Sequence, residues 1–213
     1  MKKFVISLLS VIFLCAAATA QVLVGMTDTT AYFPQLEGRR VAVLANHTAV
    51  ARFGDGAPGV AADAAVRLPG AASDGTIHLV DLLHGRGFDV TGIFSPEHGF
   101  RGTADAGEHV ASSVDAATGI PIRSLYDGNT KRPSDEAMRS FDVLVVDMQD
   151  VGLRFYTYYI TMLRMMDACA ESGRSVIVLD RPNPNGHHVD GPVLDMKYKS
   201  LSLIHISEPT RPY

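Results

Sequence analysis

Four short, nearly unbroken apolar runs constrain this chain more than anything else in it. They are Arg40 to Ala45 (RVAVLA), Phe88 to Ser95 (FDVTGIFS), Phe141 to Asp147 (FDVLVVD) and Ser175 to Asp180 (SVIVLD). Each is rich in β-branched residues and near-continuously apolar, the pattern of strands buried on both faces of a parallel sheet. Helical patterns separate them. Ile77 to Leu83 ends near Gly85, and Arg154 to Ser172 carries Ile160, Leu163, Met166 and Cys169 at a spacing of three before Gly173. Ile120 to Leu125 adds a further strand, and Ser134 to Arg139 a short helix with Ser134 as its N-cap. Strands alternating with helices predict an α/β fold, a Rossmann-like doubly wound and mostly parallel sheet.

Composition narrows the classes. Lys2 and Lys3, the apolar stretch Phe4 to Leu14 and the small residues Ala18-Thr19-Ala20 read as a signal peptide over residues 1–20. The apolar stretch is too short to span a bilayer, and Leu14 stands before Cys15 where a lipoprotein leader has a small residue. The expectation is an exported protein, periplasmic or extracellular, with no transmembrane segment once the leader is removed. The formal charge of −4 becomes more negative without those lysines, which argues against a nucleic-acid partner. Cys169 is the one cysteine outside the leader; it can form no internal disulfide and is expected as a buried, inert thiol. Residues 21–200 read as one domain. Residues 201–213 break the α/β rhythm and read as a non-native, adapter-like tail.

The chemistry gathers where apolar runs end. Ser95-Pro96-Glu97-His98-Gly99-Phe100-Arg101-Gly102 follows the second run, and Asp147-Met148-Gln149-Asp150-Val151-Gly152-Leu153-Arg154-Phe155-Tyr156-Thr157-Tyr158 follows the third. Asn46-His47-Thr48 follows the first, and Asp180-Arg181-Pro182-Asn183 the last. Parallel strands put all four loops on one edge, the carboxyl rim where open α/β sheets bind ligands. Glu97, beside Phe94 and Phe100, is placed to stay protonated and serve as a general acid. Its bland alternative is a structural carboxylate paired with Arg101. His98 either orients a hydroxyl, tunes Glu97 or braces the loop. Asp150, with Asp147 behind it, offers the second carboxylate that glycoside hydrolysis needs. Arg101 and Arg154 can clamp a carboxylate or form internal ion pairs with Asp105, Asp147 or Asp150. Gln149 suits hydroxyls or an acetamido group. Of Tyr156, Tyr158 and Tyr159, residues two apart on a helix cannot share a face, so only a subset reaches the rim. Asn46, Arg181 and Asn183 complete the expected substrate-binding set.

Other signatures fail. Gly54-Asp55-Gly56-Ala57-Pro58-Gly59 matches G-x-G-x-x-G in form, but the preceding strand ends near Ala45 and Pro58 interrupts the required helix start. His47, His98, His187 and His188 have no metal-ligand spacing, and no G-x-S-x-G elbow is present. Neither a metal nor a cofactor is expected.

SPEHGFRGTADAGEHV, GIPIRSLYDGNTKRP, FDVLVVDMQDVGLRFYTYYITM and VIVLDRPNPNG with VDGPVLD, in that order over about residues 36 to 200, resemble the NamZ-type exo-β-N-acetylmuramidases. The resemblance implies a Rossmann-like N-terminal domain followed by a smaller domain, the latter missing here, with the active site between them. It implies release of non-reducing-end N-acetylmuramic acid from peptidoglycan fragments, with Glu97 as the catalytic glutamate. Two departures stand out: Ala45-Asn46-His47-Thr48-Ala49 replaces a Thr-Asn-x-Thr-Gly type loop, and residues 54–75 lengthen the loop beyond it. A non-catalytic cell-wall-sugar binding domain is the alternative from another class, and a nucleotide- or phosphate-binding Rossmann domain a third.

Overall fold

The computed structural model describes residues 23–53, 70–96, 100–101, 113–125, 132–153, 156–188, 190, 195 and 197. The expected leader over residues 1–20, the 54–59 glycine motif and the 201–213 segment lie outside them. Eight strands are described: β1 (Arg40–Ala45), β2 (Val50–Arg52), β3 (Thr76–His78), β4 (Asp89–Ser95), β5 (Ser113–Val114), β6 (Pro121–Ser124), β7 (Val143–Asp147) and β8 (Ser175–Val178). The helices are α1 (Thr29–Leu36), α2 (Leu79–Gly85), α3 (Asp135–Arg139) and α4 (Tyr158–Glu171), preceded by a 3-10 turn over Gly25–Thr27.

The main sheet runs β5-β6-β4-β1-β7-β8. β1 pairs parallel with β4 and β7, β4 with β6, and β7 with β8; only the edge strand β5 is antiparallel. This is the mostly parallel α/β sheet expected from the four apolar runs. Alternate residues feed two cores, as a strand's period of two requires. Val41, Val43, Ala45, Ile93, Val143 and Val145 pack with Tyr32 and Leu36 of α1 and with the apolar side of α2. Ala42, Leu44, Phe94, Leu144 and Val146 pack against Ala137 and Met138 of α3 and Met165, Ala168 and Cys169 of α4. Helices therefore cover both faces. The β1–β4 register slips between Val41 and Ala42, where Val41 faces Val90 and Ala42 faces Gly92. The extra residue, Thr91, donates its hydroxyl to Val41 O at 3.2 Å.

Several local expectations are corrected. A strict spacing of three drifts about 60° per step around a helix, so Ile160, Leu163, Met166 and Cys169 form no single stripe. Leu163 and Met166 are exposed, and the buried side of α4 is Tyr158, Ile160, Thr161, Met165, Ala168 and Cys169. The helix begins at Tyr158, not Arg154. β8 lies at the sheet edge and is half-exposed, although its sequence reads as a central strand. Residues 76–78, at the start of the predicted helical stretch, form β3, which pairs antiparallel with β2 in a second small sheet. α1 escaped sequence reading; Pro34 lies inside it, a residue that argues against helix interiors. The predicted cap holds: Ser134 Oγ accepts the Ala137 N–H at 3.2 Å. Among the described residues no helix is long and apolar enough to cross a membrane.

Candidate functional site at the carboxyl rim

In chain order the parallel strands are β1, β4, β6, β7 and β8, so the sheet grows outward from β1 through β4 to β6, then restarts on its other side with β7 and β8. The topological switch lies between β1 and β7, and the crevice beyond their carboxyl ends is where such sheets take ligands. Asn46 leaves β1 there and Asp147 ends β7.

Asn46 is fully buried. Its Oδ1 accepts both the Thr48 N–H, at 3.0 Å, and the Thr48 hydroxyl, at 2.6 Å. Its Nδ2 is buried without a hydrogen-bond partner. Thr48 Oγ1 in turn accepts the Gln149 backbone N–H at 2.9 Å, joining the loops after β1 and β7. The Gln149 side-chain amide donates to Asp150 O at 2.6 Å and to Pro182 O, beyond β8, at 2.9 Å.

Asp147 and Arg181, both expected to bind substrate, bind each other. Arg181 Nε meets Asp147 Oδ1, and Nη2 reaches Oδ2 at 3.0 Å and Val50 O at 3.1 Å. Burial pushes the Asp147 carboxyl above its usual range, with Arg181 opposing. That carboxylate, together with burial as the larger cause, raises the Tyr32 hydroxyl, which donates to Met26 O at 3.1 Å.

Asp150 is half-buried and less committed. Its Oδ1 accepts the Gly152 N–H at 2.6 Å, while Oδ2 is buried with no partner. Burial raises its pKa against the Gly152 and Val151 amides. A carboxylate with one idle, partly desolvated oxygen is suited to take a proton or a donor from a ligand. Burial and the charge of Asp150 both raise the Tyr156 hydroxyl. The Tyr156 and Tyr158 rings meet edge-on with centroids 4.8 Å apart. Tyr156 precedes the helix, so the same-face restriction expected for residues two apart does not reach it, and only Tyr158 is buried within α4. Gly152 has φ +70°, and a Cβ there would lie 2.6 Å from Asn183 Oδ1. Asn183 Oδ1 accepts the Asn185 N–H at 2.9 Å, and Asn185 Nδ2 donates to Val151 O at 2.7 Å. The loops after β7 and β8 are thereby locked together.

Arg101 lies between two nearly buried carboxylates. Its guanidinium donates to Asp81 at 3.1 and 3.2 Å and to Asp115 at 3.0 to 3.3 Å. Burial alone would raise the Asp115 carboxyl, yet the Arg101 and Thr118 hydrogen bonds hold it below its usual range. Arg101 also covers the Phe100 ring at 4.6 Å. Among the described residues its carboxylate partners are Asp81 and Asp115 and not the expected Asp147 or Asp150; Asp105, also expected, lies outside the described residues.

Sequence reading missed His78. The Val80 N–H donates to its Nδ1 at 3.2 Å, so its Nε2–H donates to Asn46 O at 3.0 Å. Its ring meets Phe100 edge-on at 4.8 Å, and burial lowers its pKa. The alternation Ile77-His78-Leu79 held the only signal. Thr48 was named as part of a loop, but nothing local marks it as a bridge. Glu97, His98 and Arg154 lie outside the described residues; on either side of Glu97, Ser95, Pro96 and Phe100 are buried. Among the described residues no group of three or more His, Cys, Asp or Glu side chains gathers as a metal site.

A mostly parallel sheet carrying this polar rim at its switch point is matched at family level. Residues 60–207 match the family described as exo-β-N-acetylmuramidase NamZ, N-terminal. The chain belongs to that family. The match enters the 201–213 segment set aside above. The peptidoglycan β-N-acetylmuramidase NamZ of Bacillus subtilis (strain 168) is 48% identical over 124 residues, which is 57% of this chain and 30% of that protein. Two crystal structures of DUF1343 family proteins from Bacteroides fragilis NCTC 9343 share the fold. One has TM-score 0.67 at 45% identity, covering 91% of this chain and 44% of its own. The other has TM-score 0.65 at 32% identity, covering 89% and 42%. The chain thus spans less than half of each of these NamZ-like relatives.

Proposed function

We propose that this chain carries the catalytic half of an exo-acting glycoside hydrolase that releases non-reducing-end N-acetylmuramic acid from peptidoglycan fragments. Membership of the NamZ N-terminal family is the observation that carries this reading, and the polar rim at the β1–β7 switch supports it. Glu97, matched by family resemblance, donates its proton to the glycosidic oxygen as the bond to the anomeric carbon breaks. Water adds to that carbon and surrenders a proton to Asp150, whose burial makes it a stronger base than an exposed aspartate. His98 tunes Glu97, and Gln149, Tyr156 and Asn183 line the sugar's path. The lactyl carboxylate of muramic acid calls for a cation. Arg101 and Arg181 already face carboxylates, so Arg154 takes that role. An exported location, periplasmic or extracellular, matches a cell-wall saccharide substrate; a mature N-terminus at Gln21 in the exported protein would support it.

The test is hydrolysis of a chromogenic β-N-acetylmuramide beside the matching β-N-acetylglucosaminide. The muramide is expected to be preferred, and Glu97→Gln to lower kcat by about a hundredfold or more. A Glu97→Gln variant turning over at near-parental rate refutes the acid. Muramyl-sugar binding with no released product would favour the binding-domain reading.

A further inference from the structure

One hydroxyl holds the two halves of the rim together. Thr48 Oγ1 has a single proton, which goes to Asn46 Oδ1 at 2.6 Å, and it accepts the Gln149 N–H at 2.9 Å. Thr48 and Gln149 are 101 residues apart, and their loops leave β1 and β7 on the two sides of the switch point. The chain of bonds extends in both directions. Behind Asn46 stands His78, bonded to Asn46 O and capping α2. Beyond Gln149, its side chain fastens Asp150 O and Pro182 O. One side-chain oxygen thus connects α2 and the ends of β1, β7 and β8. The chain is also bounded by two idle buried atoms, Asn46 Nδ2 and Asp150 Oδ2. Polar groups left unpaired in a network otherwise satisfied point to an outside partner.

We infer that Thr48 is a positioning residue: its hydroxyl sets the Gln149–Asp150 loop against Asn46, and so places the idle donor of Asn46 for a neutral, hydrogen-bond-accepting sugar substituent and the Asp150 carboxylate for the attacking water. This rests on the muramidase reading for its substrate class, but the bridge itself does not. A neutral substituent suits the uncharged amide donor of Asn46, and the lactyl carboxylate is left to Arg154. A hydroxyl and an acetamido group both meet that description.

Valine matches threonine in shape but lacks the hydroxyl, and leaves the Gln149 N–H without its acceptor. Thr48→Val is expected to lower kcat on the chromogenic muramide by about tenfold to a hundredfold, the scale of a loop displaced by about an ångström. KM should stay within about threefold and the melting temperature near the parental value. Exchange of the Gln149 amide proton, followed by NMR, should accelerate by about tenfold. Thr48→Ser restores the hydroxyl and should recover both readouts. Should Thr48→Val not fold, Thr48→Ala removes the hydroxyl without adding volume and takes its place. Parental kcat in the hydroxyl-free variant overturns the inference, as does a serine variant impaired as much as the valine one. If the parent hydrolyses no muramide, the proposed function falls by itself; the exchange rate still decides the bridge, and an unchanged rate in Thr48→Val overturns it. Comparing N-acetylated with de-N-acetylated muramide separates the two substituents: a parental preference for the acetamide that shrinks in Thr48→Val assigns it, and an equal loss on both assigns a hydroxyl.

Discussion

Arg181 and Asp147 face each other from the ends of adjacent strands, and the guanidinium grips both oxygens of a carboxylate that has no solvent exposure. With the arginine side chain itself only 8% exposed, the pair is desolvated on both sides, and its strength lies in mutual neutralisation.

Breaking that pair from one side strands a buried charge. Arg181→Met or Asp147→Leu alone should each cost about 3–5 kcal/mol. The double variant should be distinctly less damaging than the sum of the two. Urea unfolding of the four proteins closes the cycle; additive losses would show that the two side chains act independently.

Arg101 is predicted to act on stability before it acts on substrate. Asp81 and Asp115 are both nearly buried and depend on it for donors, whereas lysine cannot reproduce the fork. Arg101→Lys should lower stability by about 1–2 kcal/mol, a range that allows for the guanidinium's partial exposure. A variant with parental stability and a raised KM would instead assign Arg101 to substrate.

Gly152 and Gly173 separate two costs of a side chain. Both have left-handed φ, +70° and +64°, but a Cβ at 173 meets nothing within 4 Å while one at 152 runs into the Asn183 amide. Gly173→Ala should cost about 1 kcal/mol from backbone strain alone. Gly152→Ala should cost more and displace Asn183 from Asn185. Equal losses in thermal unfolding would show that the Asn183 contact yields freely.

Asp142 governs part of the acid limb. Hydrogen bonds from Arg40 hold its carboxyl down to about 2, below the usual aspartate value near 4. A depressed folded-state pKa gives stability that is present above the unfolded value and lost as pH falls through the folded one. The melting temperature should therefore drop between about pH 4 and pH 2, and Asp142→Asn should flatten that segment. Burial pushes Asp147 and Asp150 the other way, so their contribution runs opposite in sign: greatest below the ordinary aspartate value, and lost as pH rises through their raised pKa values.

Much of the fold was legible because its signals are local. A strand buried on both faces needs an unbroken apolar run, so β1, β4, β7 and the Ser134 cap of α3 could be read from neighbours along the chain. Cys169 likewise followed from its apolar setting; it is buried, and burial pushes its thiol up to about 11. The α4 stripe misled because apolar residues three apart turn away from one another, leaving Leu163 and Met166 exposed. α1 stayed hidden because Tyr32 and Leu36 are held by the sheet beneath them, a partner no local pattern reveals.

The sequence by itself determined that polar loops would share one rim, since parallel strands send their carboxyl ends the same way. Only the tertiary structure decided what those loops do to each other. Strand order put β1 beside β7 and β7 beside β8. That order occupied Arg181 with Asp147 and left Asp150 with an idle oxygen. It also made Thr48 the link to Gln149. Hydrogen bonds and ion pairs act over a few ångströms in space, so their partners follow from which strands adjoin and not from separation along the chain.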